Sequence, residues 1–186
     1  MIIRKATLKD SEFIATHLLL AMEDIVYQFM GGKDPEKAKE LLLYFAEREN
    51  NQYSYQNCWV AVNDKEVVAT VNVYNGAQLR ELRQPVIEHI RSRFNKDFQP
   101  EDETQEGEYY IDSLGVNPDL QGKGIGSKIL QFLIDEYAIK RSQTLGLLVE
   151  EENLHAKRLY LNLGFKSAGK KVLFGKNMEH LQFKGE

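Results

Sequence analysis

Apolar and polar positions along this chain recur with two periods, and the change from one to the other marks its segments. Ile2 to Ala6 reads as a short strand. Phe13, Ile14, Leu18, Ala21, Met22 and Ile25 then recur at three- and four-residue spacing, which predicts a helix capped by Thr7 or Asp10 and ended by Gly31-Gly32. Asp34-Pro35 opens a second helix with Leu41, Leu42, Tyr44 and Phe45 on its inner side, proline being suited to the first helical position. Cys58 to Val62 and Val67 to Tyr74 are β-rich and are joined by the turn-forming Asn63-Asp64-Lys65-Glu66.

The stretch 75–107 breaks this rhythm. Val86, Ile87, Ile90 and Phe94 are spaced for one helical face over Pro85 to Phe94, whereas Gln99 to Gly107 is acidic, has no large apolar residue, and reads as a mobile loop. Tyr109 to Val116 is a strand. Lys128 to Ile139 is a helix with Ile129, Leu130, Leu133, Ile134 and Tyr137 as its buried stripe. Thr144 to Val149 is a continuously apolar strand of the kind buried on both faces. Asn153 to Leu163 is a helix closed by Gly164, and Phe165 to Phe174 and Asn177 to Phe183 are final strands. The expectation is one α/β (α+β) domain over 1–186, with a partly helical insertion at about 75–107.

Composition narrows the class without choosing a function. The chain has 186 residues, enough for one core, and a formal charge of −4, which disfavours a generic nucleic-acid binder. The single Cys58 excludes an intramolecular disulfide framework and reads as a packing residue. No apolar run approaches the roughly 20 residues of a membrane span, and the N-terminus lacks a signal-like apolar core, so a cytoplasmic protein without membrane attachment is expected. The 4 histidines have no ligand-like spacing, and no metal is expected.

The chemistry begins where the 109–116 strand ends. Gly122, Gly124 and Gly126 stand at every second position, just before the amphipathic helix. Glycines let the backbone come close to a ligand, and N–H groups at a helix start, reinforced by the helix dipole, favour an anion such as a phosphate. A mononucleotide loop needs Lys followed by Ser or Thr, but the order here is Gly126-Ser127-Lys128. A dinucleotide loop needs a different glycine spacing early in a βαβ unit.

The run Gln121-Gly122-Lys123-Gly124-Ile125-Gly126 instead resembles the pyrophosphate loop of the GNAT superfamily of acetyl-CoA-dependent N-acetyltransferases, Gln/Arg-x-x-Gly-x-Gly/Ala after a strand ending in Val, here Val116. A second stretch supports the resemblance. Asn153, Ala156, Tyr160, Gly164 and Phe165 follow the family's Asn-x-x-Ala-x-x-x-Tyr-x-x-x-Gly-Phe signature. The family's fold is a mixed, mostly antiparallel central sheet flanked by helices, and the element order here is similar. The insertion 75–107 is a departure from the family's shorter connection and bears on the acceptor site.

The resemblance implies specific roles. The backbone of Gln121, Gly122, Lys123, Gly124, Ile125, Gly126 and Ser127 would hold the coenzyme A pyrophosphate. Leu114, Gly115 and Val116 would pair their backbone with the pantetheine arm where the strand splays from its neighbour, with an N–H near Val116 polarising the acetyl carbonyl. Asn153 would bind the pantetheine, or cap its helix, or both. Tyr160 would protonate the departing thiolate, its phenol having a pKa of about 10 against about 8.5 for a thiol. Asp112 matches an acidic residue of polyamine-type members and is the candidate base. In a regular strand it would share a face with Leu114 and Val116. Glu108 is a weaker candidate. Histone-type members carry a glutamate where this chain has Tyr110.

The expected activity is transfer of acetyl from acetyl-CoA to a primary amine of a small molecule. A protein or peptide acceptor, a non-catalytic acyl-CoA sensor and a nucleotide-dependent redox domain are the alternatives. Glu101, Asp102, Glu103 and Glu106 could attract a cation or form a solvated loop. Dimerisation is common in the family; a homodimer is left open.

Overall fold

The structure, a computed structural model, describes residues 1–185. Its centre is a seven-stranded sheet in the order β1-β2-β3-β4-β5-β7-β6. The strands are β1 Ile2–Lys5, β2 Cys58–Asn63, β3 Glu66–Asn75, β4 Tyr109–Val116, β5 Leu145–Glu150, β6 Lys166–Leu173 and β7 Lys176–Phe183. Every neighbouring pair is antiparallel except β4 and β5. The helices are α1 Ser11–Met30, α2 Pro35–Ala46, α3 Leu79–Arg93, α4 Ile125–Leu133, continued by a π-helical turn Ile134–Ile139, and α5 Leu154–Asn162. The mixed, mostly antiparallel sheet flanked by helices is the architecture expected from the sequence.

Two apolar layers fix the sheet from either side. On one face Ile14, Leu18 and Val26 of α1 pack with Leu42 of α2 and Ile90 of α3. On the other, Ile129, Leu130 and Leu133 of α4 cover Val71, Val73 and Leu145. Side chains of this size contribute about 1.5–3 kcal/mol each when fully withdrawn from water. The long helix α1 bends at Met22, whose φ of −139° and ψ of 31° leave the helical region. Of the apolar residues that mark this helix, Phe13 and Ala21 are exposed, because the buried stripe runs through Ile14, Leu18, Met22 and Val26.

One expectation about membranes is corrected. The helical stretch Leu8–Met30 is long and apolar enough to cross a membrane by length and composition, with a mean hydropathy of 1.2. The apolarity has a local cause: α1 is a core helix lying against both the sheet and α2. Its fit to β4 is so close that a Cβ on Gly115 would stand 1.9 Å from the His17 carbonyl oxygen.

The insertion also differs from its sequence reading. The helix begins at Leu79 and not at Pro85, which lies inside it on the exposed side. Burial of Leu79, Arg83, Val86 and Ile90 holds this helix despite the missing N–H. The acidic segment after it is anchored: Glu103 and Thr104 are buried, and the Arg83 guanidinium donates to the Glu101 carbonyl at 2.8 Å and to the Glu103 carboxylate at 2.7 Å.

Candidate active site

Strands β4 and β5 are paired only from Tyr109↔Leu145 to Ile111↔Leu147, after which each continues without the other. The split opens the sheet at its middle, and helix α5 lies across it. His155, Arg158, Leu159 and Asn162 of α5 face the glycine loop, whereas Asn153, Ala156 and Tyr160 face the opposite hollow. The two stripes follow from helical spacing, adjacent residues being turned about 100° from one another.

The first hollow is a cleft of about 530 Å³ between α5 and the loop. Val116, Gln121, Gly122, Gly124, Ile125, Gly126 and Ser127 line it. Gly122 and Gly124 are left-handed, with φ of 75° and 77°, and a Cβ on either would meet nothing within 4 Å. These glycines are therefore required by backbone conformation, in an open cradle before the start of α4 that fits a pyrophosphate. Gln121 Nε2 donates to the Val116 carbonyl at 3.2 Å and tightens the loop. Lys123 turns away, its ammonium donating to the Asp119 carbonyl at 3.1 Å. Arg158 and His155 add basic side chains to the cleft wall. Neither was singled out from sequence as a ligand, although their spacing with Leu159 and Asn162 marks one face of the signature helix.

The second hollow, of about 330 Å³, contains Asp112, Leu114, Asn153 and Tyr160. Asn153 caps α5, its Oδ1 accepting from Ala156 N at 3.0 Å, so the helix-cap role is present whatever else it binds. Gly115 lies in neither hollow; its missing side chain makes room for α1. Tyr160 is half-buried, and burial pushes its phenol above the ordinary tyrosine value. A larger cavity of about 750 Å³ at the β6–β7 end shares no lining residue with these two and holds no carboxylate.

Asp112 stands differently from expectation. The β3–β4 register passes from Asn72↔Ser113 to Val73↔Ile111, leaving Asp112 as the extra residue of a β-bulge. Leu114 and Val116 pack with the α4-side layer, while the Asp112 carboxylate turns to Gln52 Nε2 at 2.8 Å and the Tyr74 hydroxyl at 3.1 Å. Those same two groups donate to Glu103, at 2.6 and 2.8 Å. Burial, then the charge of Glu103, pushes Asp112 up to about 7 against the pull of the Gln52 and Tyr74 bonds and Arg83. Burial, then the two carboxylates, holds the Tyr74 phenol protonated far above its ordinary range. Gln52, Tyr74 and Arg83 are thus members of the site that sequence reading missed, because their partners are 20 or more residues away in the chain, and Glu103, named there only as part of an acidic run that could attract a cation, joins them.

Glu108 is excluded from this group. It is buried against His180 Nε2 at 2.8 Å, Gln182 Nε2 at 2.7 Å and Thr104 Oγ1 at 2.7 Å. Burial alone would raise its pKa, but these bonds outweigh that and hold it below the usual glutamate value. Cys58 is buried, and burial pushes its thiol up, away from nucleophile chemistry.

A sheet split beside a glycine cradle, with an acid-bearing hollow on the other flank, defines a GNAT-type acyltransferase fold. The chain belongs to the acetyltransferase (GNAT) family, whose model matches residues 19–165. Over 70 residues it is 33% identical to the spermine/spermidine N(1)-acetyltransferase of Bacillus subtilis (strain 168), covering 37% of this chain and 46% of that one. Over 56 residues it is 41% identical to the [ribosomal protein bS18]-alanine N-acetyltransferase of Escherichia coli (strain K12), covering 30% and 38%. The chain therefore spans less than half the length of these curated relatives. Among solved structures, a crystal structure described as an acetyltransferase superposes with a TM-score of 0.81 at 28% identity over 100% of both chains. An N-acetyltransferase from Staphylococcus aureus Mu50 gives 0.80 at 19%, over 98% and 100%.

Proposed function

We propose that this chain is an N-acetyltransferase that moves the acetyl group of acetyl-CoA directly to a primary amine of a small molecule. The observation that carries the amine is the lining of the second hollow: Asp112, Glu103 and Glu150 border it, and among the described residues no Lys, Arg or His does. Arg83 balances Glu103 and Lys176 balances Glu150, which leaves Asp112 as the carboxyl without a cationic partner to meet an ammonium. Family membership and the left-handed glycines support acetyl-CoA as donor.

Acetyl-CoA supplies an activated acetyl thioester. Gly122 to Gly126 hold its pyrophosphate, with Arg158 adding positive potential. The unpaired flank of β4 from Leu114 to Val116 hydrogen-bonds the pantetheine arm, and a backbone N–H near Val116 polarises the acetyl carbonyl. Asp112 takes one proton from the acceptor ammonium, freeing the nitrogen lone pair. As the new C–N bond forms and the C–S bond breaks, Tyr160 gives its phenolic proton to the sulfur, and the second proton shed by the nitrogen restores the phenol. The Asp112 carboxyl is suited to this work because a base with a pKa near the working pH combines availability with driving force.

Thermal melting with acetyl-CoA, followed by thiol release across monoamines, polyamines, amino acids and peptides, tests this reading. A raised melting temperature and turnover of small amines are expected. No shift at millimolar acetyl-CoA would sink the donor, and turnover of peptides alone would sink the small-molecule acceptor.

A further inference from the structure

The β6–β7 hairpin closes with Phe174 and Gly175 between the paired Leu173 and Lys176. Both turn residues are left-handed, with φ of 49° and 75°. The β2–β3 hairpin makes the same kind of turn at Asp64 and Lys65, with φ of 46° and 75°. Asn and Asp favour the first position because their short polar side chains tolerate this conformation, and Asp64 follows that rule. A phenylalanine there is disfavoured sterically. Strain of this kind persists only where the surroundings impose it, and it gathers at ligand sites.

The surroundings are the acid-lined hollow. The half-buried Phe174 ring lies 5.7 Å from the Phe29 ring, and both border the hollow that holds Asp112 and Tyr160. Tyr53, 6.4 Å from Phe29, adds a third aromatic ring to the wall. The turn is also tied to the insertion, Phe174 N donating to Glu101 Oε2 at 3.4 Å. Carboxylates and aromatic faces thus border one small space, which suits an ammonium carried on an apolar body.

Resting on the amine-acetyltransferase reading, we propose that Phe174 is a specificity-determining residue of the acceptor site, selecting amines with an aromatic or bulky apolar body over bare alkylamines. The probes are 2-phenylethylamine and ethylamine, assayed with acetyl-CoA on the wild type and on Phe174→Asn and Phe174→Leu. The wild type favours 2-phenylethylamine by about tenfold or more in kcat/KM, as for other apolar pockets. Phe174→Asn brings the two amines within about threefold, and Phe174→Leu falls between. Because Asn relaxes the turn, Phe174→Asn melts no lower than wild type. An unchanged ratio overturns the proposal. So does an equal fall for both amines with a lower melting temperature, the mark of a purely structural ring. If no form acetylates either amine, the activity reading is left to the wider amine screen, and calorimetry of 2-phenylethylamine on the CoA-saturated protein decides this inference. Binding by wild type and its loss in Phe174→Asn uphold the aromatic site; no binding by wild type, or equal heats, overturn it.

Discussion

Asp112 of β4 and Glu103 of the inserted loop accept hydrogen bonds from one nitrogen, Gln52 Nε2, at 2.8 and 2.6 Å. The Arg83 guanidinium bonds Glu103 at 2.7 Å. Burial and this neighbouring carboxylate push Asp112 up to about 7. Asp112, the residue next to the proposed acceptor, therefore keeps its proton until near neutral pH.

Glu103→Gln removes the neighbouring charge and keeps the shape. Arg83 retains Asp102 at 3.4 Å, so the buried guanidinium is not stranded. The acid limb of the kcat/KM profile for an amine acceptor should move to lower pH by about one unit. A pH–rate series on the two proteins checks this, and an unmoved limb means that Glu103 does not tune the base.

Asp112→Asn should separate stability from activity. The folded value of about 7 lies above the unfolded value of about 3.9. Folding therefore favours the protonated carboxyl, and that stabilisation is full below about pH 4 and drains away as pH rises through 7. Asparagine has no charge to bury. The variant should melt roughly 2–4 °C above wild type at pH 8, with the advantage gone near pH 4. Its turnover should fall by about 10² or more. Calorimetry at both pH values with parallel rate assays decides the matter; equal melting at pH 8 would contradict the burial account.

Tyr160→Phe keeps the ring packed 6.0 Å from Phe165 and removes only the hydroxyl. Turnover should drop by about 10² while the melting shift produced by acetyl-CoA is retained. An unchanged turnover number across the alkaline range would remove Tyr160 from the chemistry.

The glycines of the loop should respond unequally. Alanine at Gly122 or Gly124 is forced into a left-handed conformation, costing about 1 kcal/mol and disturbing the cradle. A Cβ at Gly126 meets only Leu114 Cδ2, at 3.7 Å, an ordinary contact. Melting without ligand should therefore fall for Gly122→Ala and Gly124→Ala and stay near wild type for Gly126→Ala, whose effect belongs to the KM for acetyl-CoA. Equal losses of stability at all three would refute the conformational explanation.

What could be read from sequence was what local spacing encodes. The strand 109–116, the glycine cradle and the α5 signature sit within one contiguous third of the chain, and each depends on residues a few positions apart. The bulge at Asp112 was hidden because a skipped register belongs to two strands at once. Glu103 was hidden because an acidic run looks solvated until Arg83 and Gln52 are known to face it. Phe174 passed for the end of a strand, since an aromatic residue gives no turn signal. Pro85 drew the helix start forward six residues from Leu79, because burial of the α3 face outweighed a local rule.

The parting of β4 from β5 has a further consequence. An unpaired strand edge at the rim of a sheet invites other chains to stick to it. Here a comparable row of main-chain groups lies inside the sheet, with α5 across its opening, so a narrow guest can be received and a foreign strand kept out. On the proposed reading, main-chain recognition also makes the donor slot nearly indifferent to side-chain identity. The walls contributed by Glu103 and Phe174 could then be recut to admit different amines, while the machinery that delivers the acetyl group stays as it is.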